Sequence, residues 1–556
     1  MDKAFFQNKA AQESAGYAKL KTLVADEFEN ARQSIRQMLQ GLGIVHVDQT
    51  SSGKGVIDAC RAHRYDVILC DYRLVGNKNG QQVLEELREL KLLKPDVVFV
   101  IVSAETSRDV VMGIMESQPD EYLSKPFTQA VLARRLERQF KQAKALSKMK
   151  MLLAAQKYTE LIKGCLAHIN AQGRYAPWCK RTLVEAYLAT KHYSQLETLC
   201  KQELQDRDLD WPMLGLAKMH IEKGDIDLAI SMLEKLLQLF PQTISAYDLL
   251  AQCLEDSGKT EEAQQVLEDA LRISPRIHKR QKHMATVSMV NGDAQSALKA
   301  SQQTVRLGAN SIYENPDDYI QLVDIVAESS DSSESKQDQK RLLAEASQAL
   351  STVTKRFANN DRVKLRKTLA ESRLMASQGY VREAQQSLSM AKTLASEMDG
   401  GMPTEFALEY GKTLYGAGEK EHAEAVLSSL VNDSTTQENL RQQAADFLDE
   451  PVSSAAKAEA KGLNKEGLSL YANKDYQKAV QEFKKALALS PRHPGLNLNL
   501  VQGCLKLMES EGSKHYLITE CVEAFKRLQH VSERHKQYKR LVALREYLAK
   551  NYKTKV

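Results

Sequence analysis

The sequence predicts a doubly wound parallel α/β domain followed by a long all-α solenoid. Five short apolar segments alternate with amphipathic stretches within the first 140 residues, and Gly, Ala and Pro recur every 34 residues further along. The chain has 556 residues, and domains usually hold about 100–200, so several domains or an extended array are expected. The 26 Gly and 12 Pro are few for this length, which favours helix.

Composition excludes several classes of protein. The longest apolar run, 97–102, is far shorter than the roughly 20 residues that span a bilayer. The polar N-terminus lacks the apolar core of a secretory signal, so we expect a cytoplasmic protein that does not bind membranes. Its eight scattered cysteines are expected to be reduced, mostly buried thiols. The net charge of +5 is too small to indicate nucleic acid as a partner.

The α/β prediction rests on five candidate strands separated by amphipathic segments, a pattern typical of parallel sheets with helical crossovers. The candidate strands are 20–25, 44–47, 66–70, 97–102 and 121–123. Ligands of such sheets bind beyond the carboxyl ends of the strands. The residues that follow the strand ends are therefore the candidate site.

Three carboxylates, a hydroxyl and an amine meet at this edge of the predicted sheet. These groups belong to Asp26, Glu27, Asp71, Ser103 and Lys125. Clustered carboxylates repel one another unless a hard cation holds them, and Mg²⁺ prefers such oxygen ligands. The metal and the Lys125 ammonium would neutralise charge on a phosphoryl group transferred to an Asp, while Ser103 donates a hydrogen bond to it.

This constellation resembles the receiver domain of two-component response regulators over about 18–140, a flavodoxin-like fold. The matching residues are Asp26-Glu27, Asp71 after Ile68-Leu69-Cys70, Ser103-Ala104, Lys125-Pro126-Phe127 and the aromatic Tyr122. The resemblance implies that Asp71 accepts a phosphoryl group from a histidine kinase or phosphotransfer protein. It also implies Mg²⁺ as cofactor, held by Asp26, Glu27, Asp71 and the backbone carbonyl of Arg73.

The resemblance assigns roles to the remaining site residues. Ser103 and Lys125 would stabilise the phosphoryl group, and Ser103 with Tyr122 would report it to the face formed by helix four, strand five and helix five. Arg73 and Glu105, each two residues beyond a catalytic position, flank the approach of water and are candidates for setting the dephosphorylation rate. Homodimerisation through the same face is left open by analogy.

Two departures from the family pattern concern the loop after the acceptor. Leu74-Val75 stands where many receivers have Met-Pro, and Gly80 lies nine residues past Asp71, one more than expected. The alternative interpretation is a pseudo-receiver that kept the fold and lost phosphorylation. We favour an active receiver because the acceptor, the acidic pair and the lysine are all present.

The solenoid prediction rests on a 34-residue period, in which Gly supplies the turn between two helices, Ala permits close packing and Pro ends the second helix. The recurring residues are Gly224, Gly258 and Gly292; Ala229, Ala263 and Ala297; and Pro241 and Pro275. This pattern resembles the tetratricopeptide repeat (TPR), with about seven recognisable units. The resemblance implies a superhelical array that binds a protein ligand.

The predicted organisation is a receiver at 18–140, TPR-like repeats at 141–450 with a flexible, Ser-rich insertion at about 328–341, and C-terminal repeats with capping helices at 451–556. Helix five of the receiver is expected to continue to Lys150 as a stiff connection. Two Gly-Lys-Thr triplets resemble phosphate-binding loops, but the required earlier Gly is absent and neither follows a strand.

The leading functional hypothesis is phosphorelay signal transduction in which Asp71 controls the protein–protein interactions of the TPR array. The alternative is a regulator that binds nucleic acid or an acidic partner through its basic C-terminus, since ten basic and two acidic residues lie in 526–556. No residues suggest an enzyme acting on external substrates. Only Mg²⁺-dependent phosphoryl acceptance and autodephosphorylation within the receiver are expected.

Overall fold

The computed structural model describes residues 17–329, 336–398, 401–433, 435–449, 454–512, 515–528, 531 and 537–552. They form two compact units. Unit 1 runs to Met284 and includes Arg306–Glu314, and unit 2 comprises Ala285–Val305 and the chain from Asn315 onward. Within the described ranges, no helix is long and apolar enough to cross a bilayer.

Unit 1 begins with a parallel five-stranded sheet and its five helices. The strands are β1 (Lys21–Ala25), β2 (His46–Thr50), β3 (Val67–Asp71), β4 (Val98–Ser103) and β5 (Glu121–Ser124). The helices are α1 (Glu29–Gly41), α2 (Gly53–Ala62), α3 (Gly80–Glu89), α4 (Arg108–Glu116) and α5 (Gln129–Ala154). The strand order β2-β1-β3-β4-β5 is that of flavodoxin-like folds, as predicted.

The strands differ in how well the sequence located them. Every residue of β3 and β4 is buried, so their apolar runs predicted them to within a residue or two. The second strand was predicted at 44–47 but lies at His46–Thr50, because a turn at Leu42 and Gly43, with φ +90° at Gly43, and two further residues precede it. β2 is an edge strand of largely polar residues, so apolarity could not mark its extent.

The sheet is packed on both faces, and α5 leaves it to join the next helices. Leu132 and Leu136 of α5 pack with Val100 of the sheet. Further along the same helix, Leu146 and Met149 belong to a different core that includes helices beyond α5. One continuous helix thus connects sheet and array, which confirms the predicted continuation to Lys150.

Most of the helices that follow pack against the next helix along the chain. In unit 1 and the two helices that span both units, they are α6 (Tyr158–Asn170), α7 (Ala176–Ala189), α8 (Tyr193–Glu203), α9 (Asp210–Lys223), α10 (Ile226–Leu239), α11 (Ile244–Asp256), α12 (Thr260–Ile273), α13 (His278–Asn291) and α14 (Ala294–Gly308). In unit 2 they are α15 (Pro316–Ser329), α16 (Lys336–Arg356), α17 (Asp361–Ser377), α18 (Val381–Glu397), α19 (Ala407–Gly416), α20 (Lys420–Asn432), α21 (Glu438–Asp449), α22 (Ser454–Ala472), α23 (Tyr476–Leu489), α24 (Pro494–Glu511), α25 (His515–Arg527) and α26 (Tyr538–Tyr552).

The 34-residue period has the expected structural cause. Gly224, Gly258 and Gly292 each follow the first helix of a pair with φ of +83°, +76° and +74°, a left-handed conformation that glycine adopts without a Cβ penalty. Lys191 and Lys474 hold the same conformation, with φ of +58° and +63°, between α7 and α8 and between α22 and α23. Repeats without the glycine therefore keep the turn at the expense of backbone strain.

The predicted flexible insertion meets the structure only in part. Of the flexible insertion predicted at 328–341, residues 330–335 lie outside the described residues. Lys336–Arg341 form the first turns of α16, so the insertion does not extend over them. All eight cysteines are buried free thiols, as expected.

Candidate functional site

The predicted site residues lie at the carboxyl edge of the sheet. Asp71 and Ser103 are the last residues of β3 and β4, while Asp26 directly follows β1. Asp26 is fully buried, Asp71 is 6% exposed and Ser103 is 1% exposed. Two carboxylates and a hydroxyl are thus held out of water in the crevice where such sheets bind ligands.

Lys125 joins the two buried carboxylates. Its Nζ donates to Asp26 Oδ2 at 2.6 Å and also to Asp71 Oδ2. The other oxygens of the two groups accept backbone N–H bonds, Asp71 Oδ1 from Arg73 and Asp26 Oδ1 from Phe28, both at 2.9 Å. Each carboxylate is therefore fixed in orientation, and one cation faces both.

Burial and pairing have opposite effects at this site. Burial raises the pKa of Asp71, and hydrogen bonds from Lys125 and the Arg73 backbone lower it only in part. Burial lowers the pKa of Lys125, but its bonds to Asp26 and Asp71 outweigh that effect, so the Lys125 pKa is raised overall. Lys125 consequently stays charged at neutral pH, and Asp71 is a carboxylate destabilised by its surroundings.

Ser103 and Tyr122 meet at one residue, Glu105. The backbone N–H of Glu105 donates to Ser103 Oγ at 3.0 Å, and the Tyr122 hydroxyl donates to the Glu105 carbonyl at 2.6 Å. Burial raises the pKa of Tyr122, an effect that its hydrogen bond with Ser103 opposes. The two residues predicted to act as a switch are therefore connected through the segment that leads into α4.

Arg73 and Glu105, the two residues predicted to tune dephosphorylation, form an ion pair with each other. The Arg73 side chain is 70% exposed and that of Glu105 is 21% exposed. The pair lies at the solvent side of the buried carboxylates, since the Arg73 backbone N–H contacts Asp71 and the Glu105 backbone contacts Ser103.

The residues present fit a Mg²⁺ ion. Across the residues that the structure describes, no three His, Cys, Asp or Glu side chains are arranged as a metal site. Asp26 and Asp71, however, both contact the Lys125 Nζ, so the two carboxylates lie close together on either side of the ammonium group. Carboxylate oxygens are donors that Mg²⁺ prefers, and Glu27 and the Arg73 carbonyl stay predicted ligands.

Gly80 places α3 directly against the acceptor. Its backbone N–H donates to the Tyr72 carbonyl at 2.9 Å, and a Cβ at Gly80 would lie 2.4 Å from the Asp71 carbonyl oxygen. Asn79 caps the helix reciprocally with Gln82. The loop predicted to be one residue longer than usual therefore ends in a close, well-defined contact with the acceptor strand.

Sequence reasoning missed a set of charged and polar residues that connect the receiver helices with the repeats of unit 1. Arg280 of α13 contacts Glu116 at the end of α4, and Gln82 of α3 donates to the Leu307 carbonyl. Nothing in the repeat pattern distinguishes Arg280 from a solvated arginine. Its side-chain exposure of 1% is the first sign of its role.

The Gly-Lys-Thr triplet at 411–413 lies within a helix, as expected. Thr413 is buried and donates to the Glu409 carbonyl one turn earlier at 2.7 Å. The hydroxyl therefore serves the helix backbone, and the triplet has no loop to hold a phosphate.

Comparison with known proteins gives three family matches along the chain. The response regulator receiver domain matches residues 22–137, and tetratricopeptide repeats match 208–276 and 460–493. The first corresponds to the sheet with its five helices, the second to α9–α12, and the third to α22–α23 with a flanking turn.

Similar proteins cover the receiver part of the chain. Chemotaxis protein CheY of Pseudomonas aeruginosa is 26% identical over 121 residues, covering 22% of this chain and 96% of that protein. Chemotaxis protein CheY-3 of Vibrio cholerae is 24% identical over 121 residues, covering 22% and 92%. Among solved structures, the chemotaxis response regulator CheY4 of Vibrio cholerae is 22% identical with a TM-score of 0.20, covering 22% and 98% of the chains. A Francisella response regulator receiver domain is 28% identical with a TM-score of 0.20 and the same coverage.

The N-terminal part of the chain has the strand order of flavodoxin-like folds, buried carboxylates beside Lys125 and a match to the receiver family. Residues 208–276 and 460–493 match tetratricopeptide repeats, and the first of these stretches contains the positive-φ turns at Gly224 and Gly258. Residues 22–137 are a response-regulator receiver domain, and this chain joins that domain to tetratricopeptide repeats.

Proposed function

We propose that the protein works in phosphorelay signalling, with Asp71 as phosphoacceptor and the TPR array as output. The observation that carries the proposal is the convergence of Asp26, Asp71 and Lys125 at the carboxyl edge of the sheet. A buried carboxylate whose pKa is raised by desolvation and which faces a fixed ammonium group is suited to accepting a phosphoryl group.

In the proposed reaction, an Asp71 carboxylate oxygen forms a bond to phosphorus. The P–N bond of a phosphohistidine on the kinase or phosphotransfer protein breaks, and the histidine nitrogen takes up a proton. Lys125 neutralises charge on the phosphoryl oxygens, and Ser103 donates its hydroxyl hydrogen to one of them. Mg²⁺ held by Asp26, Glu27, Asp71 and the Arg73 carbonyl would supply further charge neutralisation.

Autodephosphorylation would remove the phosphoryl group at the same site. Water attacks phosphorus, the bond to Asp71 breaks, and inorganic phosphate leaves. The Arg73–Glu105 ion pair lies on the solvent side and would restrict the approach of that water. Beyond these two reactions we propose no enzymatic activity.

The output is the binding of a protein partner by the repeats. Phosphorylation would bias a pre-existing equilibrium between two arrangements of the receiver and thereby change the presentation of the array. Helix pairs of this kind form extended concave surfaces suited to peptides and helices.

The test has two parts. A small-molecule phosphodonor with Mg²⁺ should label the wild type and not Asp71→Asn, and mass spectrometry should place the label at Asp71. In a pull-down, the wild type should then recover a partner in different amounts with and without phosphodonor, and Asp71→Asn should not. An unlabelled wild type, or labelling that leaves partner recovery unchanged, contradicts the proposal.

The C-terminal alternative has less structural support. Lys526 pairs with Glu523, Arg527 donates to Asn497, and Arg540 donates to Asn499. Basic groups with internal partners are less available to phosphates or acidic proteins. A gel shift at several salt concentrations tests it, because nucleic-acid binding through lysines and arginines weakens steeply with salt.

A further inference from the structure

We propose that the receiver docks onto its own repeat array through α3 and α4, that Arg280 is the latch of this contact, and that phosphorylation of Asp71 opens it. This inference rests on the proposed function for the phosphorylation step. All the residues involved belong to unit 1. The contact includes α3, which the family resemblance did not assign to signalling.

Arg280 connects three segments through its guanidinium group. Nη2 lies 2.8 Å from Glu116 Oε2 at the end of α4, and Nε lies 2.7 Å from Asp248 Oδ1 of α11. Nη1 donates to the Ser274 carbonyl at 3.1 Å. The Arg280 side chain is only 1% exposed, and a buried charge requires its partners to remain in place. A receiver carboxylate is therefore one of the groups that satisfy a buried cation of the array.

Two further contacts extend the docked surface toward the acceptor. Gln82 Nε2 donates to the Leu307 carbonyl at 3.2 Å. The Arg276 guanidinium lies near Tyr72, the residue after Asp71, and partly offsets the rise that burial causes in the Tyr72 pKa. A Cβ at Gly113 would lie 3.6 Å from Arg276 Cβ, so α4 and the start of α13 lie within van der Waals reach of each other.

The docked surface is not closely packed along its whole length. A cavity of about 410 Å³ lies between α3, α4 and the start of α13. Charged and polar side chains contribute to its lining, among them Glu85, Arg88, His278 and Lys279. Contacts between parts of one chain permit relative motion unless they are large and hydrophobic.

The acceptor site is mechanically continuous with the latch. Ser103 Oγ is held by the Glu105 backbone N–H, and Tyr122 by the Glu105 carbonyl. A phosphoryl group on Asp71 offers Ser103 a new acceptor and competes for Lys125, which disturbs the 104–107 segment that leads into α4. Since α4 is a nine-residue helix ending at Glu116, a shift of its first turn moves Glu116 away from Arg280.

The test uses the full-length chain, Mg²⁺ and beryllofluoride as a reversible phosphoryl mimic, with affinity measured by calorimetry. Binding linkage is reciprocal, so weakening the latch should tighten beryllofluoride binding. We expect Glu116→Gln, which leaves Arg280 paired with Asp248, to tighten it at least about fivefold, the lower end of typical coupling. Arg276→Gln, on the array side, should act in the same direction. Asp58→Asn is the matched control, because Asp58 is an exposed receiver carboxylate that pairs with neighbouring Arg61.

Hydrogen exchange provides the second measurement. In the wild type, beryllofluoride should speed exchange in the 276–284 segment, and Glu116→Gln should speed it without beryllofluoride. If both latch variants bind beryllofluoride as the wild type and Asp58→Asn do, or more weakly, the latch is overturned while the proposed function stands. If the wild type does not bind beryllofluoride, the proposed function fails and the opening step fails with it, whereas the exchange of Glu116→Gln alone still tests the docked contact.

Discussion

Replacing Gly80 by Ala should damage the acceptor site, and the same change at Gly113 should not. The added Cβ of Gly80→Ala would lie 2.4 Å from the Asp71 carbonyl oxygen, 3.1 Å from its carbonyl carbon and 3.2 Å from Tyr72 Cα. All three are backbone atoms of the strand end, which cannot rotate away as a side chain does. Accommodating the methyl group therefore requires α3 to move off β3, and overpacking of this kind costs about 1–3 kcal/mol, occasionally more.

Gly113 is the matched control because it is also helical and lies in the same domain. Its nearest neighbours would be Gln81 Oε1 at 3.4 Å and Arg276 Cβ at 3.6 Å, which is ordinary contact. Gly113→Ala should therefore gain the usual helix-interior advantage of Ala over Gly, about 0.5–1 kcal/mol.

The assay is hydrogen exchange of β3 and α3 amides across a urea series, which reports the local free energy of opening within a large chain. We expect Gly80→Ala to lower this free energy by about 2 kcal/mol and to slow phosphodonor labelling, with Gly113→Ala unchanged or stabilised. If Gly80→Ala matches the wild type in both exchange and labelling, the close approach of α3 to Asp71 is not a constraint and the reasoning is refuted.

Three other predictions concern the acceptor, the lysine and the repeat turns. Burial raises the pKa of Asp71 above its ordinary 3.8, so the unfolded chain loses this proton at lower pH than the folded chain does, and the free energy of unfolding falls as pH rises between the two pKa values. Asp71→Asn should therefore stabilise the receiver at pH 7 and not below pH 3.8. Thermal melts that show equal stabilisation at both pH values would contradict this. Lys125→Met should abolish labelling by phosphodonor while the sheet stays folded by circular dichroism, because Asp26 and Asp71 then repel each other and any phosphoryl group; wild-type labelling rates would show that the ammonium is dispensable. Lys474→Gly should stabilise the α22–α23 pair by about 0.5–1 kcal/mol in urea denaturation, because glycine adopts the left-handed conformation without strain. Gly258→Ala should destabilise the α11–α12 pair by a similar amount for the same reason. Changes of opposite sign would contradict the turn argument.

The sequence predicted what hydrophobic burial and special backbone geometry impose. β3 and β4 are buried along their whole length, so apolar runs marked them, and the polar residues that ended those runs were the site. The turns at Gly224 and Gly258 were predictable because their positive φ favours glycine.

The features that were not predicted have no pattern in the local sequence. β2 is polar because it lies at the sheet edge, and its pairing with β1 alone defines its length. Lys191 and Lys474 hold the positive φ that glycine holds in other repeat turns, so the glycine period does not mark these two turns. Arg280 is buried only because α4 and α11 meet around it, a fact of tertiary structure with no trace in the neighbouring residues.

The long helix α5 restricts how the docked contact can open. α5 is a 26-residue helix, about 39 Å long at 1.5 Å per residue, and it packs on the sheet with one half and on α6 and α7 with the other. The receiver is thus attached to the array at two places, permanently through α5 and reversibly at Arg280. A domain held in this way cannot move independently as a domain on a flexible linker does. Opening the Arg280 contact would instead require the repeats between α6 and α13 to change their packing angles. Phosphorylation would then change the curvature of this part of the array.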